Sequence, residues 1–184
     1  MLLAAAAAAG APAAAAAADD PLAPIEALAG ACWLAPYPGG KLADLQCFEP
    51  MEGGRFIRAR HVVLGSEPAY SGEAIYYVDG ASRRLAFVYF TSLGGVSRGE
   101  MLPQGDGAME TEQIHVAADG SELKMLTRMR QLGPDRYESA TRRWDGGAWT
   151  EAFTADYRRL PNECATWERA RIRCGTVEAA ISAP

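Results

Sequence analysis

The segment Gly95-Val96-Ser97-Arg98-Gly99 matches the G-x-S-x-G pattern that surrounds the nucleophilic serine of many hydrolases. In those enzymes a helix follows the serine and a histidine accepts its proton. Here another hairpin turn follows the pattern, and His61 or His115 would have to reach the serine from another strand. We therefore interpret the match as the glycine spacing of a β-turn and assign no catalytic residue.

His61 alternates with Ile57, Ala59 and Val63 on one face of a predicted strand. If that face points inward, the imidazole is buried and needs a hydrogen-bond partner. Two interpretations remain open: a satisfied interior histidine, or a pH-sensitive contact to a ligand. We expect the other histidine, His115, to lie on the surface because its neighbourhood is acidic.

Glu73 precedes an apolar run in a predicted strand that is half buried. A buried carboxylate must be paired, and Arg58, Arg98, Arg128 or Arg142 could reach it across a closed sheet. The cluster is either a structural ion pair or a site for a ligand head group beside an apolar wall. The ligand-binding candidates are His61, Glu73, Tyr76, Tyr89, Ser92, Arg98 and Arg128, and the apolar wall is expected to include Phe87 and Trp149.

Four cysteines form two local pairs along the chain, Cys32 with Cys47 and Cys164 with Cys174. Such usage fits an oxidising compartment, although four cysteines allow three connectivities. We expect local pairing, because a turn at Pro38-Gly39-Gly40 would bring the first two cysteines together on adjacent strands. The alternative is that all four stay reduced as small buried side chains. No C-x-x-C pattern occurs, so no metal site is expected.

The composition describes one ordinary domain with a hydrophobic core, since 49% of the 184 residues are apolar. The net charge is −5, and the arginines are scattered between strand segments. This pattern gives no broad basic field, so we expect no nucleic-acid partner and no binding to anionic membranes. The sequence carries no signal for an oligomeric state.

Residues 1–18 carry no charge, and Asp19-Asp20-Pro21 ends this apolar run abruptly. The pattern predicts an export signal with a cleavage site at Ala16-Ala17-Ala18, and hence a periplasmic or secreted protein. The alternatives are an Ala-rich leader or a misplaced start. The run is too short and too weakly apolar for a transmembrane helix, and no other segment qualifies.

Nine turn signals, many of them Asp-Gly or Gly-Gly, recur every 12 to 15 residues between Pro38 and Gly147. They separate ten segments with the period-two alternation of β-strands, and Tyr70 to Glu100 shows three of these strands most clearly. Ten strands with short connections pair as a meander, and closure removes both exposed edges. The sequence thus predicts an all-β, up-and-down antiparallel barrel over residues 19–160, with a two-sheet sandwich as the alternative.

The remaining residues, 161–184, are expected to form a short disulfide-tied tail. Trp167 to Arg173 could be a helical turn held between Cys164 and Cys174, and the end from Val177 onward is expected to fray.

Several segments resemble bacterial proteins with a calycin-like barrel, the superfamily of lipocalins, fatty-acid-binding proteins and nitrobindin-type haem barrels. The resemblance covers roughly residues 28 to 159. It is carried by Gly30-Ala31-Cys32-Trp33, Cys47-Phe48-Glu49, Gly53 to Arg58, Arg60 to Val63, Tyr70 to Glu73, Ile75-Tyr76, Tyr89 to Ser92, and Gly94 to Gly99. It implies a ten-stranded barrel whose mouth or interior takes an apolar ligand. No histidine follows His115, where the nitrobindin-type proximal ligand is expected, so no cofactor is expected.

These observations favour an exported barrel that binds a small apolar or amphipathic molecule without catalysis. One alternative is a hydrolase or isomerase that uses the interior polar residues His61, Glu73 and Tyr89. Another is a structural or inhibitory protein of the cell envelope that acts through its rim loops.

Overall fold

In the computed structural model, which describes residues 20–182, ten antiparallel strands form a closed barrel. Each strand pairs with its neighbours in sequence, and β1 pairs with β10 to close the sheet. The strands are β1 (Ala31–Pro36), β2 (Ala43–Met51), β3 (Phe56–Leu64), β4 (Tyr70–Val78), β5 (Leu85–Thr91), β6 (Val96–Pro103), β7 (Ala108–Val116), β8 (Glu122–Gly133), β9 (Arg136–Trp144) and β10 (Trp149–Arg159). The expected leader, residues 1–18, lies outside the described residues.

All nine predicted turns connect consecutive strands, so the meander and its closure into a ten-stranded barrel are confirmed. The Asp-Gly turns show why this pair of residues predicts a turn. At the turn between β7 and β8, the Asp119 carboxylate accepts a hydrogen bond from the backbone N–H of Ser121 at 2.9 Å. Gly120 takes a φ of +83°, a conformation that costs glycine little.

A short helix, α1 (Ala23–Glu26), closes one end of the barrel. Its Ile25 is 1% exposed, and Leu28, just after it, is 3% exposed. The indole N–H of Trp33, inside β1, donates to the backbone carbonyl of Leu28 at 3.1 Å. The odd-numbered strands begin at this end, and the even-numbered strands begin at the opposite end.

Residues 162–182, here called the C-terminal clasp, pack on the outside of β1, β2 and β3. The clasp contains a 3-10 turn (Asn162–Cys164), α2 (Trp167–Arg169), a π-helical turn (Ala170–Cys174) and α3 (Val177–Ser182). The predicted helical turn is confirmed, whereas the expected fraying is wrong for residues 177–182, because Val177 and Ala180 pack into an apolar cluster. This outer cluster also contains Cys32, Leu34, Ala43, Leu45, Cys47, Val62, Leu64, Leu160, Trp167 and Ala170.

Both disulfides join the cysteines that the local pairing predicts, Cys32–Cys47 and Cys164–Cys174. Cys32 and Cys47 are direct partners across β1 and β2. They lie on the outer face beneath the clasp, and the second disulfide closes the clasp on itself.

Trp149 does not belong to the interior wall, contrary to the prediction. The register between β9 and β10 shifts between Glu151 and Phe153, so Phe153 faces inward while Trp149 faces outward. Trp149 instead packs against Trp144 at 5.4 Å between ring centroids. The single extra residue of this bulge reverses the alternation on which the prediction was based.

Within residues 20–182, no helix has the length and apolar character needed to cross a bilayer.

Candidate functional site

The inward faces of the strands enclose a cavity of about 240 Å³. One group of lining residues is apolar or aromatic: Ala59, Ala74, Tyr76, Phe87, Met101, Met125, Met129 and Phe153. The other group carries polar atoms: Tyr37, Asp44, Gln46, His61, Tyr70, Tyr89, Thr111, Gln113, Thr127, Ser139, Thr141 and Tyr157. The cavity therefore joins an apolar surface with an unusually rich set of hydroxyl, amide and imidazole groups.

Small residues at inward positions create this space. Ala59 and Ala74 are partners across β3 and β4. An added Cβ at Gly72 would lie 2.5 Å from the ring of Tyr89 and 2.7 Å from His61 Nε2. An added Cβ at Gly99 would lie 2.7 Å from the hydroxyl oxygen of Thr111. Both glycines thus leave room for functional side chains from neighbouring strands.

A chain of hydrogen bonds links side chains from five strands, β2, β3, β4, β5 and β10. His61 Nδ1 lies 2.9 Å from Asp44 Oδ1, and His61 Nε2 lies 2.7 Å from the hydroxyl of Tyr89. The Tyr70 hydroxyl lies 3.0 Å from that of Tyr89. The Tyr157 hydroxyl donates to Asp44 Oδ2 at 2.7 Å. A carboxylate accepts hydrogen bonds, so the contact with Asp44 places a proton on Nδ1 of His61, and Nε2 can then accept from the Tyr89 hydroxyl.

The phenols around Asp44 are held in their neutral form. Burial raises the pKa of Tyr89 far above its ordinary value, and neighbouring Tyr70 adds to the shift. Burial also raises the pKa of Tyr157, with the charge of Asp44 as a further cause. Neutral phenols can donate hydrogen bonds, so Tyr89 and Tyr157 act here as donors and not as anions.

A second polar group lies on the wall formed by β7, β8 and β9. Gln113 Nε2 donates to the hydroxyl of Thr127 at 3.1 Å, and the hydroxyls of Thr127 and Thr141 are 3.0 Å apart. Gln113 is 9% exposed and Thr141 is 4% exposed. This group and the His61 group both border the cavity.

Ser97 and His115 form a separate pair, with Oγ and Nδ1 2.9 Å apart. The expected surface position of His115 is wrong: the side chain is half buried, because it lies over Gly95 and contacts Ser97 on the adjacent strand. Ser97 is 1% exposed and sits within β6, which continues through a hairpin into β7. The helix that a nucleophile elbow requires is absent at this point of the described chain.

The predicted ligand-binding residues divide between the two faces of the barrel. His61, Tyr76 and Tyr89 line the cavity. Glu73 lies between the inward residues Ala74 and Gly72, on the outer face of β4. The interior carboxylate cluster expected around Glu73 is therefore not formed, because the strand alternation turns Glu73 outward.

The arginines expected near that cluster also lie outside. Arg128 alternates with the cavity-lining Thr127 and Met129, and it pairs with Asp106 and Glu110. Arg58 pairs with Glu49 at 2.8 Å on the outer face of β3. Arg98 and Arg142 also occupy outward positions, as partners of Ile114 and Leu126 respectively. Ser92 lies exposed in the turn between β5 and β6, where its Oγ accepts from the backbone N–H of Ser71 at 3.1 Å.

Asp44 is the central residue that the sequence did not reveal. On β2, Asp44 and Gln46 alternate with Ala43, Leu45 and Cys47, a pattern that ordinarily places the polar residues in solvent. Here the clasp covers the apolar face from outside, so the polar residues turn inward. The disulfide-tied tail was the one available signal that the outer face of this strand is covered.

Metal binding has no obvious site in the part of the chain that the structure describes. No group of three or more histidine, cysteine, aspartate or glutamate side chains there is arranged to hold a metal ion.

Nine chains of solved structures match this protein. One is the crystal structure of Rv2717c from M. tuberculosis, with a TM-score of 0.51 and 14% sequence identity. The match covers 76% of this chain and 97% of that one. At this identity the likeness shows a shared barrel fold alone. No protein-family model matches the chain, and no curated protein matches it.

Proposed function

We propose that this protein is an exported, calycin-like barrel that binds a small apolar or amphipathic molecule in its interior. The functional unit of the proposal is the barrel of residues 19–160. The observation that carries it is the cavity of about 240 Å³, in which apolar side chains face polar groups on two walls. A concave apolar site with a few oriented polar groups is the usual form of a small-molecule site.

The arrangement of Asp44, His61 and Tyr89 supports a polar contact at one side of the ligand. The Asp44 carboxylate fixes the orientation of the imidazole, and the imidazole orients the Tyr89 hydroxyl. A hydroxyl held in this way recognises a ligand without losing rotational freedom on binding. The apolar side chains of Phe87, Met101 and other lining residues would cover the rest of the ligand.

Export is supported by the two disulfides, which persist in oxidising compartments. The proposal places cleavage after Ala18. Expression of the full chain in a bacterial host tests it through the N-terminus of the protein recovered outside the cytoplasm. A protein that begins at Asp19 supports export, whereas uncleaved chain confined to the cytoplasm contradicts it.

Ligand binding is tested by native mass spectrometry of the purified protein and by solvent extraction of what it retains. Ala74→Leu fills the cavity, and Ala140→Leu is the matched control because Ala140 lies on the outer face opposite Arg128. We expect a retained small molecule in the wild-type and Ala140→Leu proteins and its loss from Ala74→Leu. Retention of the same molecule by Ala74→Leu would show that it binds elsewhere.

A second candidate function, acid–base catalysis, is favoured by the same Asp44–His61–Tyr89 chain. The imidazole can accept the proton of the Tyr89 hydroxyl while the Tyr89 oxygen takes a proton from a bound substrate, so that one proton moves to Tyr89 as another moves to His61. Such a pair suits an isomerase that moves a proton next to a carbonyl group, or a hydrolase.

A screen of esters, lactones and enolisable ketones tests this candidate. His61→Gln should lower any activity of the cavity by about 100-fold or more, the usual size of an acid–base contribution. Ser97→Ala should leave that activity unchanged, because Ser97 pairs with His115 and not with His61. An activity that survives His61→Gln but is lost in Ser97→Ala would assign the reaction to the Ser97–His115 pair.

A further inference from the structure

One buried acceptor in the cavity is not satisfied within the described residues 20–182. Gln113 Oε1 is inaccessible to solvent and has no hydrogen-bond partner there. The same side chain is 9% exposed and lines the cavity, and its Nε2 already donates to Thr127. A buried acceptor without a donor is costly, so a bound molecule that supplies a donor to this atom would gain affinity.

The neighbours of Gln113 cannot supply that donor. The hydroxyl oxygen of Thr127 accepts from Gln113 and lies 3.0 Å from the hydroxyl oxygen of Thr141. The Thr111 hydroxyl is oriented towards the backbone carbonyl of Glu112. Both hydroxyls next to the amide therefore have partners other than Oε1, which is left without a donor from either of them.

The charge of the cavity selects against anions. Neither lysine nor arginine is among the described residues that line it, and Asp44 is a carboxylate buried at 3% exposure. Both oxygens of Asp44 are bonded, one to His61 and one to Tyr157. A second anion here would be buried without a cation, which is costly.

The volume of the cavity and the side chains that line it indicate a ligand with a single ring. A cavity of roughly 150 Å³ holds benzene in a protein core, and this one has about 240 Å³. Three of the lining residues, Met101, Met125 and Met129, have flexible thioether side chains that pack well against aromatic rings. One ring with one or two small substituents fits this space.

We propose that the cavity binds a neutral single-ring molecule whose O–H or N–H group donates to Gln113 Oε1. This inference rests on the proposed function, because it names the chemical class of the ligand of that same site. Phenols and lactams belong to this class, whereas fatty acids and other carboxylates do not.

The test compares four probes of similar size: phenol, toluene, anisole and benzoate. The wild-type protein is labelled on its methionine methyl groups, and binding is followed by NMR titration at Met101, Met125 and Met129. We expect phenol to bind about tenfold more tightly than toluene or anisole, since only phenol supplies the missing donor. Benzoate should bind most weakly.

Gln113→Met removes the acceptor at similar volume and should abolish the preference for phenol over toluene. Gln104→Met is the matched control, because Gln104 is in a turn outside the cavity and should keep the preference. Equal binding of phenol and toluene, or tighter binding of anisole or benzoate, by the wild-type protein would overturn this inference and leave the proposed function standing. If the wild-type protein bound none of the four probes, both this inference and the proposed function would be overturned. The comparison of probes on the wild-type protein tests the inference even if Gln113→Met does not fold.

Discussion

The imidazole of His61 and the phenol of Tyr89 meet at 2.7 Å although a whole strand, β4, lies between the strands that carry them. The contact passes over Gly72 on β4, where a side chain would obstruct it. An added Cβ there would lie 2.5 Å from the Tyr89 ring and 2.7 Å from His61 Nε2. The absence of a side chain at Gly72 therefore leaves the space in which His61 and Tyr89 form their hydrogen bond.

Gly72→Ala should break the contact between His61 and Tyr89. The added methyl group forces both side chains to move, and such overpacking costs about 1–3 kcal/mol of the free energy of unfolding. Urea denaturation measures this cost. Gly80→Ala is the matched control, because a Cβ at Gly80 meets nothing within 4 Å. Equal stability of the two variants would mean that the strands adjust freely around the added methyl group.

The protonation of His61 provides a second prediction. Because Asp44 accepts from Nδ1, the neutral ring should be the Nδ1–H tautomer, which leaves Nε2 as the acceptor for Tyr89. The ¹⁵N shifts of the imidazole report the tautomer directly, and the chain has only two histidines to assign. Asp44→Asn introduces an amide that can donate to Nδ1, so it should change the tautomer of His61, and it should lower the free energy of unfolding by about 1.5–3 kcal/mol, the contribution of a hydrogen bond to a charged group.

His115 serves as the internal reference in the same spectra, since its partner is Ser97 and not Asp44. An Nε2–H tautomer of His61 in the wild-type protein would contradict the assigned direction of the hydrogen-bond chain.

The barrel could be predicted from the sequence because its turns are local. Asp119-Gly120 and the other turn signals act over a few residues, and closure follows from the exposed edges that an open sheet would leave. The alternation of its own strand placed His61 on one face with Ile57, Ala59 and Val63, but it left open whether that face points inward.

His61, Tyr76 and Tyr89 were among the predicted residues, but the rest of the site could not be predicted because it depends on long-range contacts. Asp44 faces inward because residues 162–182 cover the other side of β2, and that contact spans most of the chain. Glu73 faces outward because of the register of β4, which the mixed pattern around it did not define. Trp149 faces outward because of one bulged residue in β10.

Tyr76 should make the stability of the protein depend on alkaline pH. Burial raises the pKa of Tyr76 from 10.0 to about 12. The neutral phenol therefore contributes full stability below about pH 10, and this contribution is lost as the pH rises toward the folded pKa. The shift corresponds to about 3 kcal/mol.

The wild-type protein should lose about 3 kcal/mol of unfolding free energy between about pH 10 and pH 12 through Tyr76, and Tyr76→Phe should not show this loss. Urea denaturation across this range measures it. Tyr77→Phe is the matched control, because Tyr77 faces the other side of β4 and this variant keeps the buried phenol of Tyr76. Identical alkaline profiles for Tyr76→Phe and the wild type would contradict the burial of this phenol.

The two disulfides should protect different parts of the structure. Cys164–Cys174 closes a loop inside the clasp, so Cys164→Ala/Cys174→Ala should speed hydrogen exchange in residues 162–182 while the barrel strands remain protected. Cys32–Cys47 joins β1 to β2, and its removal should lower the stability of the whole barrel by about 3 kcal/mol in the chain-entropy model. Hydrogen-exchange mass spectrometry of both double variants distinguishes these effects. If β1 and β2 lost protection together with the clasp in Cys164→Ala/Cys174→Ala, the clasp would have to unfold with the barrel as one cooperative unit.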